Sequence, residues 1–331
     1  MRSRRPNSIY VIGTAIFVAA IASWTVAHFL GIQNPRVERA NFGSHFSGPP
    51  VLVLGSSLTF FDMSFPNVAE ALQRPIEVRS VGAASPCELE PLQQEVAGPA
   101  MTLIGVSIFD LNERNLSDAK PLLVPFWRSA LDLSQSHSSW SQSKRLLSAY
   151  PVQWTRYVFP IAGHSPEIIV AVRDRLIGQT HGAPSAEEQP RMQLTSEDVA
   201  RPEKITDWSE ARLLRRLAEM RRSGVDENSF SGPKSKALDR ILRRALERGG
   251  TTKLIVLPVS PPYRREFVNA NGAALFEGAL ARVQSEFPKL EVLRLDKSPQ
   301  LNEPTVFWDL VHLNDEGRHL ATAALLVYLS K

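Results

Sequence analysis

Cysteine is almost missing from this chain. The 331 residues contain one, Cys87, so no disulfide closes within the chain, even in an oxidising compartment. That thiol reads as a small residue packed near a loop, not as a nucleophile. An excess of one charge is missing too. With 38 Lys and Arg against 34 Asp and Glu, the net charge is +4. No basic run is interleaved with aromatic residues, which argues against nucleic acid as a partner. Metal-ligand spacing is also wanting. His312 and His319 lie near Asp309 and Asp315, but no set of side chains there has the spacing of a zinc site. Wholesale disorder is excluded by a composition 43% hydrophobic and 22% charged.

Long hydrophobic runs are scarce, and the one present is informative. From Ile9 to Leu30 the chain carries no Asp, Glu, Lys or Arg. As a helix rising ~1.5 Å per residue it would match the ~30 Å hydrocarbon core of a membrane. Arg2, Arg4 and Arg5 precede it, and Tyr10 and Trp24 lie towards its ends. Basic residues stay on the cytoplasmic side and aromatic rings favour the interface. The expectation is residues 1–31 as a cytoplasmic N-terminus and single-pass anchor, with the remainder on the far side. A cleaved signal peptide ending near Thr25-Val26-Ala27 is the alternative; the run is longer than a usual signal core, which favours an uncleaved anchor.

Residues 32–50, rich in Gly, Pro and Asn, read as a linker. Beyond them, apolar strand-like runs occur at Val51–Leu54, Ile76–Val81, Met101–Phe109, Lys253–Val259 and Glu291–Leu295. Helical stretches are expected at Pro66–Leu72, Arg265–Phe287 and Asp315–Leu329. Alternating strands and helices predict an α/β fold, a three-layer α/β/α sandwich on a mostly parallel sheet. The middle, about 113–250, breaks the rhythm and reads as a helical insertion over the carboxyl edge of the sheet. It holds a Ser/Gln-rich portion (Leu133–Ser143), an aromatic portion (Trp140 to Phe159) and a polar loop (Gly182–Pro190). Two amphipathic helices follow, one with Leu213, Leu214, Leu217 and Met220, the other with Leu238, Ile241, Leu242 and Ala245. Their arginines read as solvated faces, with contact to anionic lipid or polymer as the alternative.

Two short segments carry the chemistry. Val51 to Leu54 runs into Gly55-Ser56-Ser57, which places a hydroxyl at the carboxyl edge of the sheet, where open α/β folds hold ligands. Near the other end, Asp309-Leu310-Val311-His312 offers a carboxylate and an imidazole three residues apart. Serine needs a base to take its proton, and imidazole does this near neutral pH. A carboxylate on the other ring nitrogen fixes the tautomer. Brought together, Ser57, His312 and Asp309 would make an acyl-transfer triad. The backbone N–H groups of Ser57 and Gly82 and the side-chain amide of Asn112 are the expected oxyanion donors. Such chemistry calls for no cofactor.

On these residues the chain resembles the SGNH (GDSL-type) hydrolase superfamily. Gly55-Ser56-Ser57 matches the first block, with Ser56 in place of its Asp and Ser57 at the nucleophile position. Asp309-Leu310-Val311-His312 matches the last block, and Gly82 falls at the second-block oxyanion glycine. The third block departs: Asp110-Leu111-Asn112-Glu113 keeps only the Asn, and Gly105-Val106-Ser107 is a competing alignment. The similarity covers about 51–112 and 253–331. A Gly-Ser-Ser variant on a membrane anchor is similar to a bacterial cell-envelope subgroup that includes alginate acetylation proteins and the D-alanylation protein DltD. The resemblance implies O-acyl, chiefly O-acetyl, transfer to an exported polysaccharide through an acyl-Ser57. It also implies a polytopic membrane-bound O-acyltransferase as donor partner and a periplasmic catalytic domain at the inner membrane. A polysaccharide or lipid esterase and a non-catalytic scaffold of the same fold are the competing functions.

Overall fold

The computed structural model describes residues 14, 16–23, 25, 37–81, 85–93, 96, 98–113, 203–223 and 228–330. The chain divides into two compact units, Met1–Arg36 with Leu147–Met192 and Val37–Leu146 with Gln193–Lys331. In the first, residues 16–23 are helical, with Ile16, Phe17, Val18 and Ile21 exposed. Among the described residues no helix is long and apolar enough to cross a membrane. Most of the expected anchor, Ile9–Leu30, lies outside them, as do the Ser/Gln-rich, aromatic and polar-loop portions of the insertion.

The second unit is built on a six-stranded sheet ordered β1-β3-β2-β4-β5-β6. The strands are β1 (Val37–Phe42), β2 (Val51–Ser56), β3 (Ile76–Val81), β4 (Met101–Ser107), β5 (Thr251–Leu257) and β6 (Glu291–Arg294). All neighbours pair in parallel except β1, which runs antiparallel to β3. Parallel strands covered on both faces need continuous apolar sequence. β2 shows why: Val51, Leu52, Val53 and Leu54 are all wholly buried. Val51 and Val53 face one apolar layer, with Leu103, Ile255 and Leu257. Leu52 and Leu54 face the other, with Ile104, Leu254 and Val256. Four such side chains contribute roughly 6–12 kcal/mol of gross burial energy before chain entropy is subtracted.

Helices cover both faces, giving the expected three layers. The first layer is built from α1 (Ser57–Phe61), α2 (Phe65–Leu72), α7 (Pro261–Phe267) and α9 (Asp315–Leu329). The second comprises α3 (Pro86–Leu92), α6 (Pro233–Glu247) and α8 (Ala270–Glu286). A one-turn helix, α4 (Ile108–Leu111), ends β4, and α5 (Glu210–Ser223) rests Leu213, Leu217 and Met220 on the first layer.

Five expectations change. The proposed 32–50 linker supplies β1, where Ala40 and Phe42 are buried while Asn41 is exposed. Its alternation is short and charged, as edge strands commonly are, and so reads as linker. The 113–250 insertion ends earlier, because α6 is a core crossover helix whose Leu238, Ile241 and Leu242 are buried against the sheet. The helix expected over Arg265–Phe287 is two, broken at Val268 and Asn269; the Asn269 side chain accepts from Gly272 N (2.7 Å) and starts the second. Leu214 is 57% exposed and lies off the buried stripe of α5. The described arginines of α5 are exposed, as expected, but those of α6 are more than a solvated face. Arg240 and Arg244 reach Glu90 (3.0 and 3.5 Å), Arg243 pairs with Glu286 (2.6 Å), and Arg248 donates to the carbonyls of Gln93 and Val96 (2.8 and 3.1 Å).

Candidate active site

From β2 the chain goes to β3 on one side of the sheet, then to β4 on the other. The carboxyl end of β2 is therefore the point where winding reverses, the usual crevice of an open α/β sheet. Ser57 begins α1 at that end. Ser56 caps the helix, its hydroxyl accepting from Leu58 N at 3.3 Å. Ser57 thus occupies the first helical position, where a backbone N–H has no partner within the helix.

The helix packs unusually close to the sheet. A Cβ on Gly55 would lie 1.9 Å from Thr59 Oγ1, and one on Gly105 of β4 would lie 2.1 Å from the same atom. Two glycines side by side on adjacent strands leave the hollow that Thr59 fills. No larger residue at either position permits this approach.

His312 and Asp309 come from the loop after three short 3₁₀ turns, just before α9. Asp309 starts a tight turn: its Oδ1 accepts from Val311 N (2.8 Å) and His312 N (2.7 Å). Aspartate favours this local arrangement because its short side chain reaches backbone amides two and three residues on. The turn brings the His312 ring against the same carboxylate, Nδ1 lying 2.9 Å from Oδ2 and 3.2 Å from Oδ1. The opposite ring nitrogen, Nε2, is 3.0 Å from Ser57 Oγ, although 255 positions separate the residues. The structure therefore brings Ser57, His312 and Asp309 into one hydrogen-bonded chain. Burial alone would raise the Asp309 pKa, but hydrogen bonds from the His312 ring and the two amides prevail and lower it from 3.8 to about 2. The carboxylate is charged throughout the neutral range.

The loop itself is pinned at several points. Leu310 O accepts from Ser260 Oγ (2.7 Å), Phe307 O accepts from Ile205 N (2.8 Å), and Leu313 N donates to Asp62 Oδ1 (3.0 Å). Two aromatic rings flank the imidazole: Phe61 edge-on, with centroids 6.3 Å apart, and Trp308 tilted at 6.1 Å. Beyond Trp308, Glu203 forms an ion pair with Arg212, whose guanidinium lies 4.2 Å over the Trp208 ring. The Arg212 hydrogen bond lowers the Glu203 pKa.

The oxyanion donors fare differently. Gly82 lies outside the described residues; β3 ends at Val81, paired with Ser56. Asn112 is wholly buried. Its Nδ2 donates to Asn228 Oδ1 (2.5 Å) and its Oδ1 accepts from Ser229 N (3.2 Å). That amide ties the end of β4 to the segment preceding α6, with one Nδ2 hydrogen and the Oδ1 engaged there. Beside it, Asp110 is buried, and burial raises its pKa from 3.8 to about 6 against the hydrogen bonds from Ser107. Burial, with the carboxylates of Glu88 and Glu113 nearby, also pushes the Cys87 thiol well up.

Phe61, Asp62 and Trp308 were not singled out from the sequence, yet a signal was there. Phe61 is four residues after Ser57 and so shares its helix face, and Trp308 immediately precedes Asp309. No protein-family model matches the chain, and no curated protein matches it.

Proposed function

We propose that the protein is a serine-dependent O-acyltransferase that moves an acyl group, chiefly acetyl, on a cell-envelope or exported polysaccharide through an acyl-Ser57. The observation that supports this best is the continuous chain from Ser57 Oγ to His312 Nε2 (3.0 Å) and from His312 Nδ1 to Asp309 Oδ2 (2.9 Å). In this reading His312 takes the Ser57 proton as the oxygen attacks the ester carbonyl. Collapse of the tetrahedral adduct breaks the ester C–O bond, and the imidazolium returns that proton to the leaving alkoxide. An incoming sugar hydroxyl, deprotonated by the same imidazole, then attacks the acyl-Ser57 carbonyl; the acyl–Oγ bond breaks and the imidazolium returns the proton to Ser57 Oγ. Asp309 remains charged and stabilises the imidazolium without accepting its proton. The N–H of Ser57, at the start of α1, supports the developing oxyanion, with Gly82 as the expected second donor.

The flanking surfaces suit a two-part substrate. Phe61 offers an apolar wall, while Trp308 with the Glu203–Arg212 pair beyond it offers an aromatic face beside polar groups, which suits a hydroxyl-rich ring. The exposed apolar residues Ile16, Phe17, Val18 and Ile21 support an inner-membrane anchor. A tether of that kind keeps the domain near a membrane-bound acyl donor and raises its effective concentration. The localisation and the polytopic donor partner belong to this proposal.

Hydrolysis is the second reading, favoured by the half-buried positions of Ser57 and His312, which leave water a path to the acyl-enzyme. One experiment tests both. The protein is given p-nitrophenyl acetate with and without an oligosaccharide acceptor, and Ser57 is probed with a fluorophosphonate. Label on Ser57 and acetyl on the sugar support the proposal. Free acetate alone leaves an esterase, and absence of label together with absence of turnover leaves a scaffold.

A further inference from the structure

Helix α1 is five residues long. Ser57 is its first residue, and Asp62 caps its end with its backbone N–H on Leu58 O (2.9 Å). Asp62 is wholly buried, uncommon for an acidic residue. Its Oδ1 reaches across the fold to accept from Leu313 N at 3.0 Å, a residue 251 positions away and adjacent to His312. A closed circuit results: Ser57, the turn of α1, Asp62, the hydrogen bond to Leu313, the peptide to His312, and the imidazole back to Ser57 Oγ.

The other ties on this loop lead elsewhere. Ser260 holds Leu310 to the end of β5, on the Asp309 side. Leu313 also bridges to Phe307, and Trp308 N donates to His312 O at 3.0 Å, both within the loop. Asn314 caps α9 through Gly317 N (3.1 Å). Asp62 links the His312 side of the loop directly to the helix that carries the hydroxyl.

We propose that Asp62 is a positioning residue of this site, its buried carboxyl clamping the His312 loop to α1 and so setting the distance between hydroxyl and imidazole. The inference rests on reading Ser57 and His312 as the reacting pair. Reacting groups tolerate little displacement, since ~1 Å of misplacement costs about a hundredfold in rate. The function of the carboxyl here is that of an acceptor oxygen at a fixed place, which a side-chain amide also supplies.

Three variants of the full-length protein test this: Asp62→Asn, which keeps an acceptor oxygen; Asp62→Leu, which fills similar space without one; and Asp62→Ser, too short to reach Leu313. Fluorophosphonate labelling of Ser57, kcat and KM for p-nitrophenyl acetate, and thermal melting are measured together. Asp62→Asn is expected to label within about threefold of wild type. Asp62→Leu should fall about a hundredfold in labelling and kcat, with KM changed less than about threefold. Should Asp62→Leu not fold, Asp62→Ser carries the same expectation. A folded Leu or Ser variant that labels at the wild-type rate overturns the inference, and so does an Asn variant as impaired as Leu. If wild type and every variant are all silent, the nucleophile reading itself has failed and the inference goes with it, a pattern distinct from either result above.

Discussion

Replacing Gly55 by alanine perturbs the site without touching any group that reacts. The added Cβ would lie 1.9 Å from Thr59 Oγ1, 2.2 Å from Thr59 Cβ and 2.6 Å from Thr59 Cγ2. Ordinary contact between such atoms needs about 3.5 Å or more, so helix α1 must move off the sheet by roughly 1 Å. Overpacking of this kind costs about 1–3 kcal/mol in stability. Because Ser57 rides on that helix, the same shift predicts about a hundredfold loss in its reaction with a fluorophosphonate. Gly105→Ala gives a matched control, because its Cβ would meet Thr59 Oγ1 at 2.1 Å and Cγ2 at 2.7 Å but Thr59 Cβ only at 2.9 Å. Adding Thr59→Ala deletes the Oγ1 and Cγ2 atoms. It should rescue most of the Gly105→Ala defect and little of the Gly55→Ala defect, where the Cβ clash persists. Urea melts of the five variants (three single, two double) and wild type, arranged as two double-mutant cycles, would show a coupling of about 2 kcal/mol for the 105/59 pair and less than half that for 55/59. Equal rescue at both glycines, or a Gly55→Ala protein that melts and labels like wild type, would refute the close-approach argument.

Other expectations follow from the same geometry. Asp309→Asn should lower kcat for an acetyl ester by about 10⁴-fold, the scale seen when a triad carboxylate is neutralised in a serine protease, and, because the folded pKa of about 2 lies below the reference 3.8, should also cost up to about 2 kcal/mol of stability at neutral pH; a loss of kcat under tenfold would mean His312 does not depend on it. Asp110 carries a pH signature. Its folded pKa of about 6 exceeds the reference 3.8, so the native state binds that proton more tightly and stability falls as pH rises between those values. Asp110→Asn should therefore gain on wild type from pH 4 upwards and level off above pH 6, by up to about 3 kcal/mol in urea; a pH-independent difference would count against the buried carboxylate. Asn112→Ala should cost about 2 kcal/mol through its two lost buried partners, while each folded molecule labels at the wild-type rate; a selective loss of labelling would instead support the oxyanion role expected for Asn112.

Much of the fold was legible because parallel strands covered on both faces must be apolar throughout. Val51–Leu54 and Leu254–Leu257 could hardly be anything else. β1 was not legible: an antiparallel edge strand needs only every second residue buried, and Ala40 and Phe42 are too few to stand out. The Ser57–His312–Asp309 chain was legible because two of its members share a four-residue turn and the third follows an apolar strand. The surroundings of Asn112 were not legible, for a physical reason. Its amide contacts Asn228 and Ser229, a link across 116 positions that no local pattern announces. Asp62 was hidden for the same reason, its partner being 251 positions away.

The solitary thiol has a practical consequence. Cys87 is held far above its ordinary pKa, so almost none of it is thiolate near neutrality and it alkylates slowly. Substituting S57C would then place a second sulfur beside an imidazole able to ionise it, giving two thiols of very different reactivity in one chain. Iodoacetamide uptake against pH would report the proton affinity of the His312–thiol pair over a nearly silent background, independently of any substrate.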